Sequence, residues 1–194
     1  MKKFLIFIFV FTAALETFSQ TQNISWKRMD DSTLDVYKDH IITPAILFPL
    51  DKYTLNHPSH PMDSIKLIAD FLKKHGNLTI EVGYNRACDP NAALMSTEIT
   101  IYRAKAIAKA LVDSFGIDPQ RVFPKGYGET KPRVLEKNIT TPGGKVIPAG
   151  TKLSEQWINK NFLKDKNKDD FEFVMGLNRR TEIQVLRTDY IPSK

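Results

Sequence analysis

The feature that most limits how this chain can fold is the stretch from Ile99 to Glu129. Ile99, Ala106, Ile107, Ala110 and Leu111 fall on one arc of a 3.6-residue period, and Lys105, Lys109 and Asp113 share the opposite edge. That spacing predicts an amphipathic helix. Gly116 stands where a helix stops in a left-handed residue, and Pro119 follows at the distance expected after a stop. Val122 to Gly126 then predicts a short strand running into a glycine-bounded loop. Arg103 interrupts the pattern. It lies four residues from both Ile99 and Ile107, inside the apolar arc, where a guanidinium is costly unless an anion meets it. An acidic group is therefore expected opposite Arg103, either from a ligand or from Asp89 or Glu98 of the chain itself.

The N-terminus carries Lys2 and Lys3 followed by an apolar run from Phe4 to Leu15. This is too short for a membrane-spanning helix and reads as a secretory signal peptide over residues 1–19, with Thr17 and Ser19 at positions −3 and −1 of a cut before Gln20. No cysteine follows the cut to take a lipid. Of 28 basic and 22 acidic residues, loss of Lys2, Lys3 and Glu16 leaves 26 and 21, a net charge of +5. Basic residues are interleaved with acids along the chain, which argues against a nucleic-acid partner and fits an anionic cell-wall or membrane-surface partner. Cys88 is the only cysteine, so no internal disulfide forms. No second apolar segment predicts a transmembrane span in the mature chain.

From Gln20 to Pro44 the sequence is polar with isolated aromatics and reads as a leader. The domain is expected over 45–194, with a first, Pro-broken strand within Ile41–Leu50. Ser59 or His60 caps a first helix whose apolar positions are Met62, Ile65, Ile68, Ala69 and Leu72, closed by Gly76. Leu78 to Val82 alternates as a half-buried strand, and Gly83 to Met95 reads as a loop. Residues 131–176 read as an irregular insert, with a small hairpin near Gly143–Gly150 and a solvated charge run from Lys164. Thr181 to Arg187 alternates as the final strand. Strand, helix, strand, helix, strand, insert and strand make an α/β two-layer sandwich, a small mixed sheet with helices on one face.

Five motifs at ordered intervals carry a resemblance: Ile80-Glu-Val-Gly, Arg103-Ala-Lys-Ala-Ile, Gly116-Ile-Asp-Pro-Gln-Arg-Val, Lys125-Gly-Tyr-Gly-Glu-Thr-Lys-Pro and Asn178-Arg-Arg-Thr-Glu-Ile. The set resembles the OmpA-like C-terminal domain, a periplasmic peptidoglycan-binding module, over about Ile46 to Leu186. The resemblance implies a βαβαβ-type sandwich that holds the stem peptide non-covalently, an arginine at the second helix taking a diaminopimelate carboxylate and an aspartate after the second strand taking its ammonium. Arg103 matches that arginine, and Ile99-Thr100 fills the place of the family's Leu-Ser pair. Where family members read Gly-His-Thr-Asp, this chain reads Gly83-Tyr84-Asn85-Arg86, so the aspartate position holds Arg86, Ala87 or Cys88 and the nearest acid is Asp89. The ligand-binding residues implied are Arg103, Asp89, Thr100, Asn85 and Arg179. The alternative is a degenerate domain serving as a structural or protein-interaction piece, with other envelope proteins as partners.

Other chemistry is less well supported by the sequence. Cys88 has no histidine near it, and none follows His75. His57 and His60 sit between prolines, which favours a turn over a metal site. Glu81 alternates outward on its strand with no visible partner for acid–base work. The expectation is a non-catalytic, exported protein, periplasmic and associated with the outer membrane or cell wall, that needs no metal or cofactor.

Overall fold

The computed structural model describes residues 26–29, 32–49, 52–55, 61–86, 96–162 and 166–192. Its main sheet has five strands, β1 (Trp26–Arg28), β2 (His40–Ile42), β3 (Thr79–Asn85), β4 (Val122–Gly128) and β7 (Arg180–Arg187), in the order β1-β2-β7-β3-β4. β3 and β4 run parallel, and β7 lies antiparallel between β3 and β2. A separate two-stranded hairpin, β5 (Ile139–Thr140) and β6 (Val146–Ile147), lies in the insert. No helix among the described residues is long and apolar enough to cross a membrane.

Helix α1 (Pro61–Lys74) forms where the sequence predicts it, with proline in its first position, Asp63 in its first turn and Lys73 and Lys74 in its last, an arrangement that suits the helix dipole. Ile65, Ile68, Ala69, Phe71 and Leu72 turn inward. Helix α2 (Ser96–Asp113) supplies Ala104, Ile107, Ala108, Ala110 and Leu111 to the same core, which also takes Ile80, Val82 and Tyr84 of β3 and Ile183 of β7. Both helices therefore cover one face of the sheet. α2 ends as its sequence requires: Gly116 adopts φ 68°, its N–H reaches Val112 O at 3.1 Å, and Ile117 N–H reaches Leu111 O at 3.1 Å. Buried Arg121 then donates to the carbonyls of Leu72, His75 and Leu78 at 2.7–2.9 Å, satisfying the end of α1 and joining it to the start of β3.

Three expectations are revised. Residues 26–40, read as a leader, contribute β1 and the start of β2, and of the strand expected within Ile41–Leu50 only Ile41 and Ile42 are strand, Ile41 fully buried opposite Ile183, while residues 43–49 are not strand. β3, read as half-buried, is buried at every position because β4 and β7 flank it and side chains cover its second face. The insert is ordered where described: the hairpin, α3 (Glu155–Asn161) and α4 (Lys168–Asn178) enclose a second apolar cluster of Leu135, Ile147, Leu153, Ile158, Phe162, Phe171, Val174 and Met175. Buried Asp170 of α4 accepts the Gly143 N–H at 2.6 Å and so pins the hairpin turn. Ser59, His60, Cys88 and Asp89 lie outside the described residues.

Candidate functional site

The strand directions bring the carboxyl ends of β2, β3 and β4 and the start of β7 to one end of the sheet. The chain segments leaving those strands, from 43, 86 and 129 onward, therefore begin together, and α2 starts there as well. Arg103, in the second turn of α2, points into this end and is buried. Its guanidinium packs 5.3 Å from the Phe48 ring centroid and 5.4 Å from that of Tyr84, within cation–π range of both. Nε donates to Lys52 O at 2.9 Å and Nη2 to Pro49 O at 3.2 Å. These two carbonyls fix the direction of the guanidinium plane. Tyr84 reinforces the arrangement, its hydroxyl donating to Ile46 O at 3.4 Å, and burial pushes that hydroxyl's pKa up despite the nearby Arg103 charge.

The acid expected opposite Arg103 is not Glu98, whose Oε1 accepts instead from Tyr102 Oη at 3.5 Å. Thr100 is wholly buried and serves as a joint: its Oγ1 accepts the Gly128 N–H at 2.9 Å and donates to Thr97 O at 2.9 Å. That joint depends on Gly126, where a Cβ would lie 2.3 Å from Ile101 N and 2.7 Å from Thr100 Oγ1. The first turns of α2 thus rest directly on the β4 backbone, which sets the height at which Arg103 stands. Asn85 turns to the other face of the sheet, where its Nδ2 donates to Glu182 Oε1 at 2.9 Å. Arg179, the C-cap of α4, pairs at the surface with Glu172 at 2.9 Å. Asn178 braces the insert, donating to Leu153 O at 2.8 Å and accepting from Arg133 N at 2.9 Å. Of the residues predicted from sequence, Arg103 and Thr100 share one neighbourhood, and Asn85 and Arg179 are engaged elsewhere.

The second face of the sheet holds a charged network. Glu182 is buried and accepts from Asn85, from Arg180 and, at 2.8 Å, from Lys131 Nζ. Burial lowers the Arg180 pKa, and Glu182 opposes that shift. Glu81 faces this network rather than solvent: it accepts from the Tyr127 hydroxyl and meets Lys125 Nζ at 3.2 Å. The Tyr127 ring lies across Gly83, whose missing side chain makes the space, and burial and the Glu81 carboxylate both push the phenol's pKa up. His40 stands 3.4 Å from Lys131 Nζ, and its pKa is lowered first by burial and then by that ammonium. Opposite charges are matched here, as a structural network requires.

The sequence model of the OmpA family matches residues 47–141, which include the loop, α1, β3, α2 and β4 around Arg103. Solved structures similar to the chain include the periplasmic domain of Helicobacter pylori MotB (19% identity, 73% of this chain and 71% of that one, TM-score 0.43). The peptidoglycan-associated lipoprotein of Burkholderia pseudomallei is 17% identical over 73% of this chain and 88% of its own, with a TM-score of 0.45. The OmpA-like domain of FopA1 from Francisella tularensis is 16% identical over 86% of this chain and 94% of its own, with a TM-score of 0.42.

Proposed function

From the premise that this chain belongs to the OmpA family through residues 47–141, whose members generally bind peptidoglycan, we propose that it is a non-catalytic cell-envelope module that holds a peptidoglycan stem peptide. In this reading Arg103 takes a carboxylate of the peptide. The observation that carries it is the setting of Arg103: a buried guanidinium at the carboxyl end of the sheet, stacked on Phe48 and Tyr84 and fixed in direction by two carbonyls. A planar guanidinium grips a carboxylate through parallel hydrogen bonds, and prior orientation lowers the entropy lost on doing so. A zwitterionic ligand end also calls for an acid, and Asp89 is the carboxylate nearest in sequence to the family's aspartate position. Thr100 contributes by positioning α2.

Co-sedimentation of the protein with purified peptidoglycan tests the proposal. Wild type is expected in the pellet, with Arg103→Ala left in solution and Asp89→Asn weakened. Arg103→Ala sedimenting as wild type would overturn the assignment.

A second reading has its own observation. The Gly83-Tyr84-Asn85-Arg86 segment places Arg86, rather than an acid, just after β3. A domain retained as a scaffold or a protein-interaction piece would leave even the wild type unbound to peptidoglycan, and the same sedimentation distinguishes the two readings.

A further inference from the structure

Two tyrosines stand beside Arg103 with no role in the core. Tyr53 is 49% exposed and Tyr102 38% exposed, and they stack on each other with centroids 5.2 Å apart and planes tilted by 36°. Each is tied to the Arg103 site through the backbone. Tyr102 immediately precedes Arg103 on α2, and Tyr53 immediately follows Lys52, whose carbonyl accepts from Arg103 Nε. Mutual stacking holds both rings in place before any ligand arrives, so little side-chain freedom remains to be lost on binding. Lys105 Nζ lies over the Tyr102 ring, 5.9 Å from its centroid, and brings a hydrogen-bond donor to the pair.

We infer that Tyr53 and Tyr102 form a saccharide platform that takes an N-acetylated sugar of the glycan strand while Arg103 holds the attached peptide. The chemistry favours a sugar. A pyranose presents C–H groups on its faces and hydroxyls around its rim, and a tyrosine presents an apolar ring face and a phenolic edge. Apolar contact over the ring and hydrogen bonding at the rim are therefore met together, with the Lys105 ammonium facing hydroxyl or acetamido oxygens. A lipid chain would leave the phenol and ammonium edges unmatched. In peptidoglycan the stem peptide is bonded to a sugar, so a platform next to the peptide clamp lies where the sugar of the same ligand arrives. This inference rests on the peptide-binding reading above and deepens it.

Calorimetric titration of the full chain with two ligands, the free stem peptide and the disaccharide-peptide, separates the two claims. Wild type is expected to bind the disaccharide-peptide about tenfold more tightly than the peptide, equivalent to about 1.4 kcal/mol. Tyr102→Ala and Tyr53→Ala should bring the two ligands to parity without changing affinity for the free peptide, and Tyr102→Phe should keep most of the preference. Equal wild-type affinities for the two ligands would overturn the platform and leave the peptide reading standing. A Tyr102→Ala variant that weakens both ligands alike would assign the pair to holding the loop and also overturn it. Failure of wild type to bind either ligand would overturn both claims.

Discussion

Gly126→Ala tests whether close contact between α2 and β4 sets the position of the site. The new Cβ would lie 2.3 Å from Ile101 N, 2.8 Å from Ile101 Cα and 2.7 Å from Thr100 Oγ1. Two of these atoms are backbone, so no side-chain rotation relieves the clash. The start of α2 must lift by roughly 1 Å to restore ordinary contact distances. Overpacking of this kind costs about 1–3 kcal/mol. Lifting also stretches the 2.9 Å bond from Gly128 N–H to Thr100 Oγ1, exposing a buried donor to a further cost of about 1–3 kcal/mol. Together these predict a loss of about 3 kcal/mol, or a fall of about 6–12 °C in Tm at 2–4 °C per kcal/mol for a chain of this size. Urea unfolding should show a lower midpoint at unchanged slope. Peptidoglycan binding should weaken as well, because Arg103 lies two residues beyond Ile101. A stability change below about 0.5 kcal/mol, the level of an ordinary surface substitution, would refute the reasoning.

Further outcomes follow from the buried polar groups. Glu182→Gln removes a buried counter-charge from both Arg180 and Lys131 and should cost about 3–5 kcal/mol in urea unfolding. Arg121→Met leaves the carbonyls of Leu72, His75 and Leu78 without its donors and should cost about 3 kcal/mol, with Arg121→Lys recovering only part because an ammonium lacks the planar fork. His40 has a folded pKa below its unfolded value, so the unfolded chain takes up the proton first as pH falls. Its effect on stability is therefore absent well above 6.5 and becomes a growing penalty as pH drops from about 6.5 through the folded pKa. His40→Gln should flatten the slope of the urea midpoint between pH 7 and 5.5.

Elements with their own period were legible in the sequence. α1, α2 and β7 lie where apolar spacing places them, and the Gly116 stop has the geometry its position implies. β1 left no such signal, and β2 shares only Ile41 and Ile42 with the strand expected within Ile41–Leu50. Each is three residues long and owes its state to pairing, β2 to β7 through Ile41 and Ile183, which are distant in sequence. α4 did leave one: Phe171, Val174 and Met175 recur at helical spacing after the charge run, which drew the reading toward solvent. Within the site, the cost of burying Arg103 could be read from its place on the apolar arc. Its acceptors could not, because the Pro49 and Lys52 carbonyls are backbone groups that no side-chain pattern announces. The same holds for Glu81, whose partners Lys125 and Tyr127 come from the neighbouring strand.

The central claim is that Arg103 meets a ligand carboxylate, and amidation of the ligand tests it most directly. Calorimetry should compare a stem peptide bearing its free diaminopimelate carboxylate with the amidated peptide, for wild type and for Arg103→Ala. Charge-assisted hydrogen bonds contribute about 1.5–3 kcal/mol, so amidation should weaken binding to wild type by about 10- to 100-fold. The two ligands should bind Arg103→Ala alike, giving a coupling energy of the same size. Equal affinity of wild type for both peptides, or an unchanged amidation penalty in Arg103→Ala, would contradict the account.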